Sequence, residues 1–82
     1  LPGDYDAAEQ WFNEALELHE RLRSPVRAAT TEAALAALLA DRGRGDDHER
    51  ARTMAQAALD AAMAGGYGYV EADARGVLDR LA

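Results

Sequence analysis

The chain has no cysteine, no lysine and no isoleucine, only two prolines and a single serine, and five aromatic residues among 82. Each shortage excludes something. Without cysteine there is neither a disulfide nor a thiolate zinc site to supplement a small core. Without lysine, all nine basic residues are arginine, and fifteen acidic residues outnumber them to give a net charge of −6. An acidic surface repels phosphate backbones and anionic lipid, so neither nucleic acid nor a membrane surface is an expected partner. No apolar run approaches the roughly 20 residues needed to span a bilayer. No signal-peptide pattern opens the chain, so the expectation is a soluble, cytoplasmic protein.

Side chains suited to catalysis or metal binding are equally scarce. Ser24 precedes Pro25 and reads as a helix-boundary residue. Thr30, Thr31 and Thr53 have no histidine or acid at a spacing that would activate a nucleophile, so no enzyme activity is expected. His19 reads as a solvent-side helix residue and His48 as a first-turn residue, without the paired spacing of a metal site. Asp46, Asp47 and Glu49 lack calcium-loop spacing and read as an acidic helix start. Gly65 to Gly68 has no preceding strand and no following lysine, which argues against a phosphate cradle. The expectation is no cofactor and no metal. The Arg44-Gly45-Asp46 tripeptide reads as a chance product of an arginine-, glycine- and aspartate-rich loop.

What the chain has in quantity is alanine, at 20 positions. Apolar residues recur with helical period, and no alternating strand pattern competes. Four helices are predicted, near 6–23, 25–41, 47–64 and 69–81. Asp4 or Asp6 is placed to cap the first. Glu17 and Arg21 stand at i,i+4 on it, a favourable ion-pair spacing. Ser24-Pro25 separates the first two helices, and glycines at 43, 45, 65 and 66 end the second and third. An 82-residue domain buries only about 60% of its unfolded surface, so stability is expected to be modest.

The sequence also repeats internally. Residues 3–18, "GDYDAAEQWFNEALEL", align with the segment from Gly45 to Ala61. Ala8 falls on Ala51, Phe12 on Ala55, and Ala15-Leu16 on Ala58-Leu59, a spacing of 43 residues. Small residues recur where helices approach closely, which is the signature of a repeat. Ala8, Ala15, Ala51 and Ala58 are therefore expected at close helix contacts.

At Gly3, Asp4, Tyr5, Ala8, Phe12, Ala15 and Leu16 the chain resembles the second helix of the tetratricopeptide repeat family. The second copy departs from the pattern, with alanine at 55 in place of the aromatic. The 43-residue spacing exceeds the standard repeat of roughly 34 residues. Such elongated alanine- and arginine-rich repeats are similar to those of large bacterial signalling ATPases and LuxR-type transcriptional regulators. The resemblance implies an all-α, right-handed solenoid of antiparallel hairpins. In it, residues 1–23 form the second helix of a truncated repeat, 25–64 a full hairpin, and 67–82 a capping helix.

The function so implied is a protein–protein interaction or scaffolding module, a regulatory segment of a larger bacterial protein. The alternative is an inducer-binding or sensor segment of an ATPase-type transcriptional regulator. In this family the concave face binds a protein or peptide. Here the resemblance places Thr30, Ala33, Ala37 and Asp41 from the second helix, with Arg75 and Asp79 from the fourth, on that face. Trp11 and Phe12 belong to a helix whose family partner is missing, so the resemblance also implies a self-association face at the N-terminal open end, through which homo-oligomers form.

Overall fold

The computed structural model describes residues 4–82. Leu1, Pro2 and the Gly3 of the family-like turn lie outside the described residues. Four helices follow in order: α1 Asp4–Arg21, α2 Pro25–Arg42, α3 Asp47–Gly65 and α4 Gly68–Leu81. No strand occurs among the described residues. No described helix is long and apolar enough to cross a membrane.

Local chemistry sets the boundaries. α1 ends in a left-handed residue, Arg23 at φ 53°, with Arg23 N–H donating to Glu20 and Ser24 N–H to His19. These two hydrogen bonds satisfy two of the carbonyls a helix end leaves open. Pro25 then opens α2 at a position where its missing N–H costs nothing. Gly43 and Gly66, at φ 60° and 76°, close α2 and α3 through N–H bonds to Leu39 and Ala62. Neither Ser24 nor Asp46 makes a side-chain cap bond. Asp6, one of the two candidate caps of α1, is turned to Arg42 and Arg44.

α2 is the central helix and touches the other three, while α3 also meets α4. The core is built in layers along it. Leu35 and Leu39 pack with Ala51, Ala36 with Ala55 and Val77, and Ala29 and Ala33 with Ala58, Ala62 and Val70. Rising numbers on α2 meet falling numbers on α3, so these helices run antiparallel. Alanine dominates both sides, and the large apolar side chains buried without exposure are Leu35, Leu39 and Val70. Small residues let the backbones approach closely, so dispersion contacts substitute for bulk.

α1 lies at the edge of the stack. Its backbone approaches α2 alone and it buries no residue fully. Ala51 and Ala58 are buried as expected of close contacts, whereas their counterparts Ala8 and Ala15 are only half-buried. One neighbouring helix covers one flank of α1, and the remainder meets water.

Candidate interaction groove

The side chains on α2 and α4 define an open groove of about 410 Å³ between the two helices. Thr30, Ala33, Ala34 and Ala37 form the α2 wall, and Ala72, Asp73, Gly76, Val77 and Arg80 form the α4 wall. Both sets recur at three- and four-residue spacing, which keeps each on one helix face. Ala33 and Ala37 on one wall, Ala72 and Gly76 on the other, are what leaves the space open.

The ends of the groove are polar. At one end Thr30 Oγ1 donates to the Val26 carbonyl at 2.8 Å and lies 3.4 Å from the Tyr69 hydroxyl. At the other, Arg80 pairs with Asp41. Asp73 makes no ion pair with the described residues, so its carboxylate is available along the α4 wall.

Of the residues expected on this face, Thr30, Ala33 and Ala37 line the groove and Asp41 closes its end through Arg80. Arg75 and Asp79, also expected on this face, lie outside its lining. Arg75 folds back on Glu71 at 3.2 Å and reaches Met63 on α3. The helical phase of α4 presents 72, 73, 76, 77 and 80 to α2, leaving 75 and 79 off that face. The missed wall had a signal: Ala72 and Gly76, small residues four apart, opposite Ala33 and Ala37, also four apart.

The two adjacent aromatics part company. Phe12 packs inward against the Leu35, Leu39 and Ala51 cluster, while Trp11 stays 63% exposed. Their rings still meet edge to face, with centroids 5.2 Å apart. Neighbours on a helix point about 100° apart, so a single flank cannot bury both.

A second cluster was invisible in the sequence. Asp47, only 2% exposed, accepts bonds from Arg42 Nε at 2.7 Å, Arg42 Nη2 at 2.9 Å and the Arg44 N–H at 3.0 Å. Glu9 on α1 pairs with Arg42 at 2.9 Å and with Arg50 at 2.5 Å, and Asp6 pairs with Arg42 at 2.9 Å. The Arg42 guanidinium holds the Asp47 carboxyl well below the usual carboxylate range, against the opposing effect of burial. The Arg50 hydrogen bond lowers Glu9 in the same way. This network joins α1, α2 and α3, and it includes Arg44 of the Arg44-Gly45-Asp46 tripeptide, which pairs with Asp6 at 2.6 Å.

The histidines are placed apart. His19 is half-buried rather than solvent-side, and its Nδ1 has no hydrogen-bond partner among the described residues. His48 lies 3.2 Å from the Ala40 carbonyl. Glu17 and Arg21, at pairing distance in sequence, make no ion pair in the structure, and both are exposed. Comparison with protein-family models, with curated proteins and with solved structures finds no match.

Proposed function

We propose that the chain is a tetratricopeptide-like stack of helical hairpins that serves as a protein-interaction segment, with the α2–α4 groove as its binding face. The order of helix neighbours supports this reading. Each helix touches the next, and α2 also touches α4, the pattern of hairpins laid side by side with first helices adjacent. The antiparallel layering of α2 on α3 fits the same arrangement. The observation that carries the function is the groove, open to solvent and floored by small apolar residues.

Its chemistry selects a partner. Alanine and glycine walls admit the close approach of an extended chain or a helix, and Arg80, the one cationic residue of the lining, is engaged by Asp41 rather than held ready for a terminal carboxylate. With lysine absent, a peptide carboxylate has no clamp on this face. Asp73 favours a partner with a basic side chain beside its apolar contacts. No catalytic role and no nucleic-acid contact belongs to this proposal; the parent is a bacterial cytoplasmic protein in which the segment has a regulatory or scaffolding role.

Selection of peptides from a displayed library against the 82-residue chain tests the proposal. Binding should perturb the amide resonances of Ala34, Ala37, Ala72 and Gly76. Gly76→Leu, whose Cβ meets no atom within 4 Å in the fold, should fill the groove and abolish that binding. Peptides that bind Gly76→Leu as well as wild type would refute the assignment.

A further inference from the structure

The outer flank of α1 carries a second, unfilled packing face. Trp11, Ala15, Leu18 and Leu22 follow one another at spacings of four, three and four, which aligns them along one side of the helix. Leu22 extends the turn beyond Arg21 by donating its N–H to the Leu18 carbonyl at 2.9 Å. Trp11, Leu18 and Leu22 are 63%, 46% and 61% exposed. The residues 43 positions further on, Met54, Ala58 and Ala61 for Trp11, Ala15 and Leu18, are buried or half-buried on α3. Trp11 and Leu18 are thus exposed where their counterparts Met54 and Ala61 are half-covered, while Ala15 is half-buried and Gly65, the counterpart of Leu22, is exposed.

We propose that α1 pairs antiparallel with α1 of a second copy of this chain, about a twofold axis passing between Ala15 and Leu18. In that register Trp11 lies over Leu22 of the second copy and Ala15 over Leu18, so each layer sets a larger side chain against a smaller one. Parallel pairing would stack Trp11 on Trp11 and Ala15 on Ala15, overfilling one layer and leaving a void in the next. Charge selects the same arrangement. Glu14 and Arg21 flank the stripe, both exposed and neither in an ion pair with the described residues. The antiparallel register brings Glu14 beside Arg21 of the second copy, and the twofold axis makes this contact twice.

The available area sets the strength. Two 18-residue helices, each about 27 Å long, cover on the order of 800–1,000 Å² in total, below the size of a standard specific interface. The dimer is therefore weak and forms only at high protein concentration. It leaves the α2–α4 groove uncovered and does not depend on the groove's function.

Sedimentation equilibrium of the 82-residue chain up to roughly 1 mM tests the pairing. Wild type should dimerise with rising concentration, and its tryptophan emission should move to shorter wavelength as it does. Trp11→Ala with Leu18→Ala should remain monomeric while circular dichroism retains the helical signal, since both side chains are exposed in the monomer. Glu14→Arg should raise the dissociation constant roughly tenfold, and Glu14→Arg combined with Arg21→Glu should restore it. A wild type monomeric at the highest concentration overturns the proposal. So does a dimer indifferent to the Trp11/Leu18 pair, a charge swap that fails to rescue, or a dimer abolished by Gly76→Leu, which would assign self-association to the groove.

Discussion

Arg42, the last residue of α2, holds Asp47, the first residue of α3, through two hydrogen bonds of 2.7 and 2.9 Å across the turn that reverses the chain. The pair is nearly enclosed, and the same guanidinium reaches Asp6 and Glu9 on α1. A helix that buries no residue of its own is thus tied to the other two by charge as well as by Phe12 and Leu16. A desolvated carboxylate is tolerated here because every lone pair of consequence meets a donor.

That arrangement makes stability acid-sensitive. Asp47 and Glu9 both have carboxyls lowered in the fold, so each contributes stability above its unfolded value, about 3.9 for Asp and 4.3 for Glu. The contribution is lost as pH falls below those values toward the folded ones. Urea midpoints measured from pH 6 to pH 2 should fall most steeply below about pH 4. Asp47→Asn should be less stable than wild type at pH 7 and show a flatter acid limb. Parallel profiles would mean the network carries little of the fold.

The helices were legible because their ends carry residues with strong positional meaning: Pro25 fixes φ at the first turn of α2, and Gly43 and Gly66 take the left-handed conformation that other residues avoid. The Arg42 network was not. Its members come from three helices, with Asp6 and Arg42 separated by 36 residues, and no periodicity links them. Asp47 was read as a helix-start acid, and only the folded turn shows it buried. The groove was half legible: the family resemblance points to Thr30, Ala33 and Ala37 on the α2 wall, but the α4 wall depends on helix phase, which turns 72, 73, 76, 77 and 80 rather than 75 and 79 toward α2.

The repeat relation between Ala15 and Ala58 gives a paired test. Ala58 is fully buried, so Ala58→Leu should cost about 1–3 kcal/mol by overpacking. Ala15 is only half-buried, beside the exposed Trp11 and Leu18, so Ala15→Leu should cost clearly less than Ala58→Leu. Urea denaturation at low protein concentration measures both. Equal costs would show α1 to be covered on both flanks.

Glu32 on α2 points the other way from Asp47. Burial first, and the Glu20 carboxylate second, raise its pKa. A raised acid opposes folding once the unfolded group ionises, above about pH 4.3, and ceases to do so in acid. Glu32→Gln should therefore raise the thermal midpoint at pH 7 and leave it nearly unchanged at pH 3. A midpoint that falls at pH 7 would mean that the Glu32 carboxylate has a favourable partner.

Two glycines should respond to alanine with opposite sign. Gly66 ends α3 at φ 76°, a conformation that an added Cβ strains by about 1–2 kcal/mol even though no atom lies within 4 Å of it. Gly76 stands within helix α4 at ordinary dihedrals, and its Cβ site is also empty. There alanine should stabilise by about 0.5–1 kcal/mol, by limiting the unfolded chain and improving helix propensity. At about 4–8 °C per kcal/mol for a domain of this size, thermal unfolding resolves both changes. Gly76 weakens its own helix and at the same time widens the groove opposite Ala33 and Ala37. If the groove binds a partner, Gly76→Ala should therefore raise the thermal midpoint and weaken binding of library-selected peptides together. A stabilised variant that binds those peptides undiminished would separate the glycine from the binding face.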